Sequence, residues 1–328
     1  MITAVIPNYN GAQWLKRLLP QLQRELRNGD DRILVVDDHS TDDSAVFCQS
    51  IGVDVLPMPA NLGFAKAVNA GIRRVQPDSD WIAILNNDIR LEPGFFDAIL
   101  RDAPPDAWFL APRILSAADP TRIDGTYDLP ARSGAAYRAG SGRTDDGVRF
   151  RQPREIGCAP MTAALFRAEL FHKVGLLDED FGSYLEDVDF GIRCMTAGYR
   201  GRYVPDAVAY HEGSATLGGA WSARSTRWIS RNQVLIVRKH GLGGWAAVWG
   251  QGLWGVLALR HGRLGSWIAG KMEGLFANVK PVRHQNSNAL VLNSEREIDA
   301  LQREYGYDWY WRQYFRFASP RQPKDGPV

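Results

Sequence analysis

Along the first hundred positions the apolar residues switch between two periods. Thr3 to Ile6 is a short β-type run, Trp14, Leu15, Leu18, Leu19 and Leu22 share one helical face, and Ile33-Leu34-Val35-Val36 returns to a strand. This βαβ opening continues with Val53 to Leu56, a helical segment from about Gly63 to Val75, a strand from Trp81 to Leu85 and a run from Trp108 to Ala111. The pattern predicts an α/β domain with a largely parallel sheet covered by helices. From Ile123 to Glu155 the chain is rich in Gly, Arg, Ser and Asp and has little helical period, which predicts loops and short strands near a site. Regular elements return at Ile156 to Phe166, at a short helix near Glu169 to Val174, at a helix from Leu185 to Ala197 closed by Gly198, and at a strand from Gly201 to Tyr210. Beyond His211, Trp221, Trp228, Trp245, Trp249, Trp254 and Trp267 lie among arginines and glycines. That shift sets a boundary near residue 215, dividing the chain into 1–215 and a mainly helical extension, 216–328. The polar, proline-containing tail Ser319 to Val328 is expected to fray.

Ligands of open α/β sheets gather beyond the carboxyl ends of the strands, and here those ends are polar. Asn8-Tyr9-Asn10 follows the first strand, Asp37-Asp38-His39-Ser40 the second and Asn86-Asn87-Asp88 the fourth. Neither the dinucleotide fingerprint nor a P-loop is present. Asp37 to Asp42 reads either as helix capping or as a carboxylate that accepts a pyrimidine imide N–H beside the ring of Tyr9. Asn86-Asn87-Asp88 reads either as an Asn-rich turn or as a reduced metal motif, since Mg²⁺ takes only one or two protein carboxylates and leaves the rest to phosphate and water. Glu186, Asp187 and Asp189 suit the positive end of a helix, and because adjacent helical residues diverge, one of them is free to serve as a general base. His211 is a core-edge histidine or, if the sheet returns it to Asp88, the nitrogen ligand of a Mn²⁺-type site. Arg224, Arg227 and Arg231 are candidate diphosphate contacts or a solvated face.

Composition narrows the class. With 328 residues, 45% hydrophobic and 23% charged, the chain is globular, and a net charge of +2 gives no case for a nucleic-acid partner. Three scattered cysteines argue against a disulfide framework, and the opening Met1 to Ile6 lacks the features of a signal peptide, so a cytoplasmic location is expected. The stretch Leu242 to Leu259 is broken by glycines and Gln251 and does not read as membrane-spanning. Trp245, Trp249, Leu253 and Leu257 recur at helical spacing, first as a packed helical subdomain and second as an interfacial surface in peripheral contact with the inner face of the membrane.

The ordered motifs "VIPNYNG", "VVDDHSTDDS", "NLGFAKAVNAGI", "ILNNDIR", "FHKVGLLDEDFGSYLEDVDFGIRCMTAGYR", "YVPDAVAYHEGSAT" and "RNQVLIVRKH" resemble those of the family 2 inverting glycosyltransferases, in particular the bacterial rhamnosyltransferase-like members. The resemblance covers most of residues 2 to 240. It implies a GT-A fold and transfer of a sugar from a nucleoside diphosphate to a hydroxyl of a glycan or lipid-linked acceptor. Carried over by position, Pro7, Tyr9 and Asp38 fall in the base pocket, with Asp37 beside it. Asn61, Lys66, Asn69 and Asn87 fall on the nucleotide side, and Asp88 and His211 on a divalent metal, Mn²⁺ or Mg²⁺. Asp187 falls on the general base and Glu186 on the acceptor side. The subgroup suggests a dTDP-linked donor such as dTDP-rhamnose, with UDP-hexoses as the alternative. Asn86 and Asn87 depart from the family's acids, which predicts weak metal binding before the diphosphate arrives. Two rival classes are a silent GT-A-like scaffold or sugar-nucleotide-binding protein, and a nucleotidyltransferase, whose early basic glycine-rich loop is absent here.

Overall fold

The computed structural model describes residues 1–26, 29–101, 103–213, 221–282 and 286–318; the tail from Ser319 and the loop segment Ser214 to Thr216 lie outside them. The first apolar run forms β1 (Ile2–Asn8) and the leucine stripe forms α1 (Ala12–Glu25). Leu15, Leu18, Leu19 and Leu22 of that helix are wholly buried, because spacings of three and four keep them on one face. There follow β2 (Arg32–Asp37), α2 (Ser44–Ser50), β3 (Asp54–Pro57), α3 (Phe64–Val75), β4 (Trp81–Leu85), β5 (Ile89–Leu91), α4 (Phe95–Arg101) and β6 (Phe109–Ser116). The aperiodic region yields short strands: β7 (Ile123–Gly125), the hairpin β8 (Asp128–Pro130) and β9 (Ala136–Arg138), and β10 (Arg154–Ile156). Then come β11 (Ala163–Arg167), α5 (Ala168–Val174), α6 (Glu186–Thr196) and β12 (Gly201–His211). Five helices complete the described chain: α7 (Ala223–His240), α8 (Trp245–Arg260), α9 (Leu264–Phe276), α10 (Ser287–Tyr305) and α11 (Trp309–Ala318).

The main sheet runs β10-β12-β6-β11-β4-β1-β2-β3, with β5 on β12 and β7 on β6. Strands β4, β1, β2 and β3 are parallel, as the periodicity predicts. The sheet as a whole is mixed rather than largely parallel, since β11 is antiparallel to both β4 and β6. Periodicity reports which face a residue occupies and not the direction of its strand. On one face Ala4, Ile6, Val35, Ala83 and Leu85 join the α1 leucines and Phe95, Phe96 and Ile99 of α4 in a single core.

The chain forms two compact units, residues 1–128 with 140–219 and residues 129–139 with 220–328. Residues 129–139, expected among the loops of the first domain, therefore belong to the second. Their anchor is Glu295 on α10, fully buried, whose carboxylate accepts from Arg132 N (2.7 Å), Arg132 Nε (2.8 Å) and the Tyr314 hydroxyl (2.5 Å). In the same unit α7 and α9 meet closely: a Cβ on Gly270 would lie 2.2 Å from the Arg227 carbonyl oxygen, so no other residue fits there without movement.

Candidate active site

Topology assembles the first group of polar side chains. Strand β5 begins just after Asp88 and pairs antiparallel with the end of β12, setting Ile89 opposite His211. The Glu212 N–H donates to the Asp88 carbonyl (3.1 Å), and His211 Nε2 lies 3.4 Å from Asp88 Oδ1. Strand β7, on β6, brings a third group: Asp124 Oδ2 sits 3.0 Å from His211 Nδ1. Asp88 is 5% exposed and the His211 side chain 11%. Burial works against an imidazolium, but the hydrogen bonds and charges of Asp124 and Asp88 outweigh it and raise His211 to about 9.

A buried chain of amides lies beside this group. Asp37 accepts from Asn8 Nδ2 (3.1 Å) on one oxygen and from Ser40 N (3.1 Å) on the other. With its amide hydrogens turned towards Asp37, Asn8 presents its carbonyl oxygen outward, and Asn87 Nδ2 donates to it at 2.7 Å. A carboxylate at 87 has no hydrogen to give, so the chain of donors requires an amide at this position. Gly11 makes the room, since a Cβ there would lie 2.1 Å from Asn87 Nδ2 and 2.4 Å from Asn8 Oδ1. Asp37 and the Asn87 amide nitrogen thus hold the strand ends to one another.

Asp38 makes a different connection. Its two oxygens accept from Leu62 N (2.8 Å) and Gly63 N (2.9 Å), while burial pushes its carboxyl above the ordinary range against the pull of those amides. The same loop reaches the segment before α6: Ala65 N donates to the Gly182 carbonyl (2.9 Å) and Phe64 N to Ser183 Oγ (3.3 Å). Asn69, fully buried on α3, clamps that segment with all its polar groups, giving to the Leu177 carbonyl (2.9 Å) and Glu179 Oε1 (3.0 Å) and accepting from Leu177 N (3.0 Å). Asn69 therefore braces this segment within the protein. Asn61 is exposed, and Pro7, Tyr9 and Lys66 are half-buried.

The braced segment ends in Tyr184 (φ 70°) and Leu185 (φ 67°), both left-handed, directly before α6. Bulky residues rarely adopt this conformation, and such strain collects at working sites. With Asn10 (φ 50°) and His39 (φ 67°), four of the five non-glycine residues with positive φ among those described stand at these strand and helix ends. Glu186 and Asp187 open α6, Glu186 buried and Asp187 half-buried with Oδ1 accepting from Val188 N (2.8 Å). Asp189, the third acid, is fully buried and pairs with Arg193 (2.9 Å), whose other nitrogens hold the Val174 and Leu176 carbonyls. It is structural. One loop touches both sides of the site: the Thr162 carbonyl accepts from Asn86 N (2.9 Å), and Cys158 Sγ lies 3.6 Å from the Asp187 carbonyl. Burial pushes the Cys48 thiol up to about 11 and Cys194 up to about 12, which keeps these two protonated.

Arg224, Arg227 and Arg231 belong to the second unit. Arg224 lies over the Trp228 ring (4.9 Å), Arg231 Nη1 donates to Asn232 Oδ1 (2.9 Å), and Arg227 is engaged by Glu273 of α9. Arg227 is thus paired with a carboxylate within its own unit.

The donor set suits a hard divalent ion. Asp88 offers a carboxylate oxygen and His211 an imidazole nitrogen, a combination that fits Mn²⁺. Among the described residues no group of three or more His, Cys, Asp or Glu side chains is arranged to hold a metal. Asp124, on the far nitrogen of His211, is the residue the sequence did not reveal. A carboxylate there fixes the ring orientation of a metal-binding histidine.

The model of glycosyl transferase family 2 matches residues 3–175, and that of glycosyl transferase family group 2 matches residues 136–272. The N-acetylglucosaminyl-diphospho-decaprenol L-rhamnosyltransferase of Mycobacterium tuberculosis is 28% identical over 283 residues, covering 79% of this chain and 91% of that one. The pre-mycofactocin glycosyltransferase of the same organism is 30% identical over 247 residues, 72% of this chain, which spans 48% of that protein. Among solved structures, GalNAc-T7 with UDP, GalNAc and Mn²⁺ superposes with a TM-score of 0.63 at 15% identity, over 93% of this chain and 58% of that one. The Pyrobaculum calidifontis mannosyltransferase PcManGT, with GDP-Man and Mn²⁺, gives 0.51 at 16% identity, over 84% and 87%. These likenesses show a GT-A fold.

Proposed function

The chain belongs to glycosyl transferase family 2, and on that premise we propose that it is a metal-assisted inverting transferase that moves a sugar, L-rhamnose by preference, from a nucleoside diphosphate to a hydroxyl of a lipid-linked glycan. The observation that carries the metal part is the Asp88–His211 pair with Asp124 on the far ring nitrogen. Two protein ligands are few for a divalent ion, so the donor diphosphate and water complete the shell, and metal and nucleotide bind together. The ion would offset charge on the departing diphosphate.

Asp187 is the general base. It stands at the first turn of α6 behind two strained residues, on a helix packed into the fold through Phe190 and fixed by the Asp189–Arg193 pair. The acceptor oxygen forms its bond to the anomeric carbon on the face opposite the leaving group, the bond to the diphosphate breaks, and the acceptor proton passes to Asp187. Asp38 and Tyr9 line the base pocket, with Asp38 held by Leu62 and Gly63 so that its remaining lone pairs meet an imide N–H. The donor and acceptor reading draws on the rhamnosyltransferase relative, whose name gives a decaprenol-linked acceptor. Such an acceptor sits in a membrane, so the protein works at a bilayer surface. The test is Asp187→Asn: turnover falls by about 10²–10⁴ while nucleotide affinity stays the same. Near-normal turnover on the true acceptor overturns the base assignment.

A further inference from the structure

Helices α8 and α9 are apolar almost all round, a composition that belongs to buried or membrane-embedded helices. Each is buried on one side only. On α8, Ala246, Gly250 and Leu253 face the protein, while Trp245 (60% exposed), Val248, Val256 and Leu259 form an open stripe at successive spacings of three, eight and three residues. On α9, Leu264, Ile268, Met272, Leu275 and Phe276 (81% exposed) are open as well. Of the twelve exposed large hydrophobic residues among those described, nine lie on these two helices, which makes the patch a built feature and not scattered exposure.

The segment that carries the patch is predominantly basic, although Lys239 and Lys271 are buried in it. Residues 221–282 hold nine Lys and Arg and one acid, Glu273, a balance of +8 in a chain whose total is +2. The two helices are joined by Arg260-His261-Gly262-Arg263, all exposed. Arg260 lies over the Trp309 ring (4.3 Å), Arg263 donates to the Trp221 carbonyl (2.9 Å), and Arg238 donates to the Gly274 (2.7 Å) and Ala277 (2.8 Å) carbonyls. These groups order the guanidinium side chains without neutralising them.

We propose that the α8–α9 face docks on an anionic lipid bilayer, lying in the interface with its apolar stripe among the acyl chains and its arginines at the headgroups. Two alternatives fit less well. No described helix is long and apolar enough to cross a membrane, and α8 has one side committed to the protein. A second copy of the chain would bring the same exposed arginines, Arg260 and Arg263, against the first, which repels it, whereas phosphate headgroups attract them. The inference rests on the transferase reading only for its use, which is to hold the enzyme where a lipid-linked acceptor lies.

The full chain is tested by co-sedimentation with phosphatidylcholine vesicles and with vesicles containing phosphatidylglycerol, without donor or acceptor. Wild type binds the anionic vesicles, roughly tenfold or more above the neutral ones, and loses the preference in high salt. Leu259→Glu with Ile268→Glu, both at exposed positions, lowers binding by roughly a hundredfold with an unchanged melting temperature. Arg260→Gln with Arg263→Gln reduces the anionic preference by roughly tenfold. Wild type that ignores both vesicles, or a Glu variant that binds as wild type does, overturns the inference. So does a wild-type dimer that persists with vesicles present and that the Glu variant dissolves, which assigns the face to a second copy. Vesicle binding without any sugar transfer overturns the transferase reading alone; transfer to a water-soluble acceptor without vesicle binding overturns docking alone.

Discussion

Replacing Asn87 by Asp tests why a family that keeps acids at this turn has an amide in this chain. Asn87 Nδ2 gives its hydrogen to Asn8 Oδ1 at 2.7 Å, and Asn8 gives its own to Asp37 at 3.1 Å. An introduced carboxylate sets acceptor against acceptor. Turning the Asn8 amide over to relieve that contact moves the same conflict to Asp37. Loss of a partner by a buried acceptor costs about 1–3 kcal/mol, and burying an unsolvated carboxylate adds to it, so the substitution destabilises by roughly 3 kcal/mol. For a unit of this size that is a fall in Tm of about 6–12 °C. The pH dependence identifies the cause. Burial without a donor raises the folded pKa of the introduced carboxyl, so the folded state takes up a proton that the unfolded state still lacks, and stability relative to wild type recovers as pH falls. Once protonated, the carboxyl donates to Asn8. Paired thermal melts of wild type and Asn87→Asp at pH 7 and pH 5 read both effects. Equal Tm values at pH 7, or a deficit that does not shrink on acidification, refute the donor-chain account.

Asp124→Asn, which frees the His211 ring from a charged partner at 3.0 Å, weakens Mn²⁺ binding in the presence of nucleotide by about 10–100-fold in calorimetry; unchanged affinity rules Asp124 out as an orienting group. Lys271, buried on α9 with its ammonium on Gln233 (2.9 Å), is lowered by burial to about 7. Between that value and the ordinary lysine range the unfolded chain holds a proton that the folded chain lacks, so stability rises with pH across the window. Lys271→Met therefore stabilises by roughly 2 kcal/mol at pH 6, after allowing for the partner lost to Gln233, and the gain vanishes towards pH 10 in denaturant melts. Calorimetry with Mn²⁺ alone gives weak or no binding, and binding tightens when nucleoside diphosphate is added, since the proposed site has only Asp88 and His211 as protein ligands.

The fold was largely legible because burial in a parallel sheet leaves its mark locally: β1, α1, β2, α3 and β4 all fall where the apolar periods set them. Polar residues that close apolar strands were legible for the same reason, which is why Asp38, Asp88 and His211 stood out. Amides were not. The protein partners of Asn69 and Asn87 lie 79 to 110 positions away, beyond the reach of any local pattern. Asp124 was hidden because it lies in the stretch without period, and its meaning comes from a histidine 87 residues later. Residues 129–139 joined the second unit through Arg132 and Glu295, a separation of 163 that no local pattern carries.

The central claim is that Asp88, His211 and Asp187 serve one metal-assisted transfer from a nucleotide sugar. It is tested most directly by nucleotide release from dTDP-, UDP- and GDP-sugars with a polyprenyl-diphosphate-linked glycan acceptor, with Mn²⁺ and with the metal chelated. The account predicts release from a dTDP- or UDP-sugar that depends on acceptor and metal together, with dTDP-rhamnose the best donor. Release that is indifferent to chelation contradicts the metal site, and failure of every donor to bind or react contradicts the transferase reading itself.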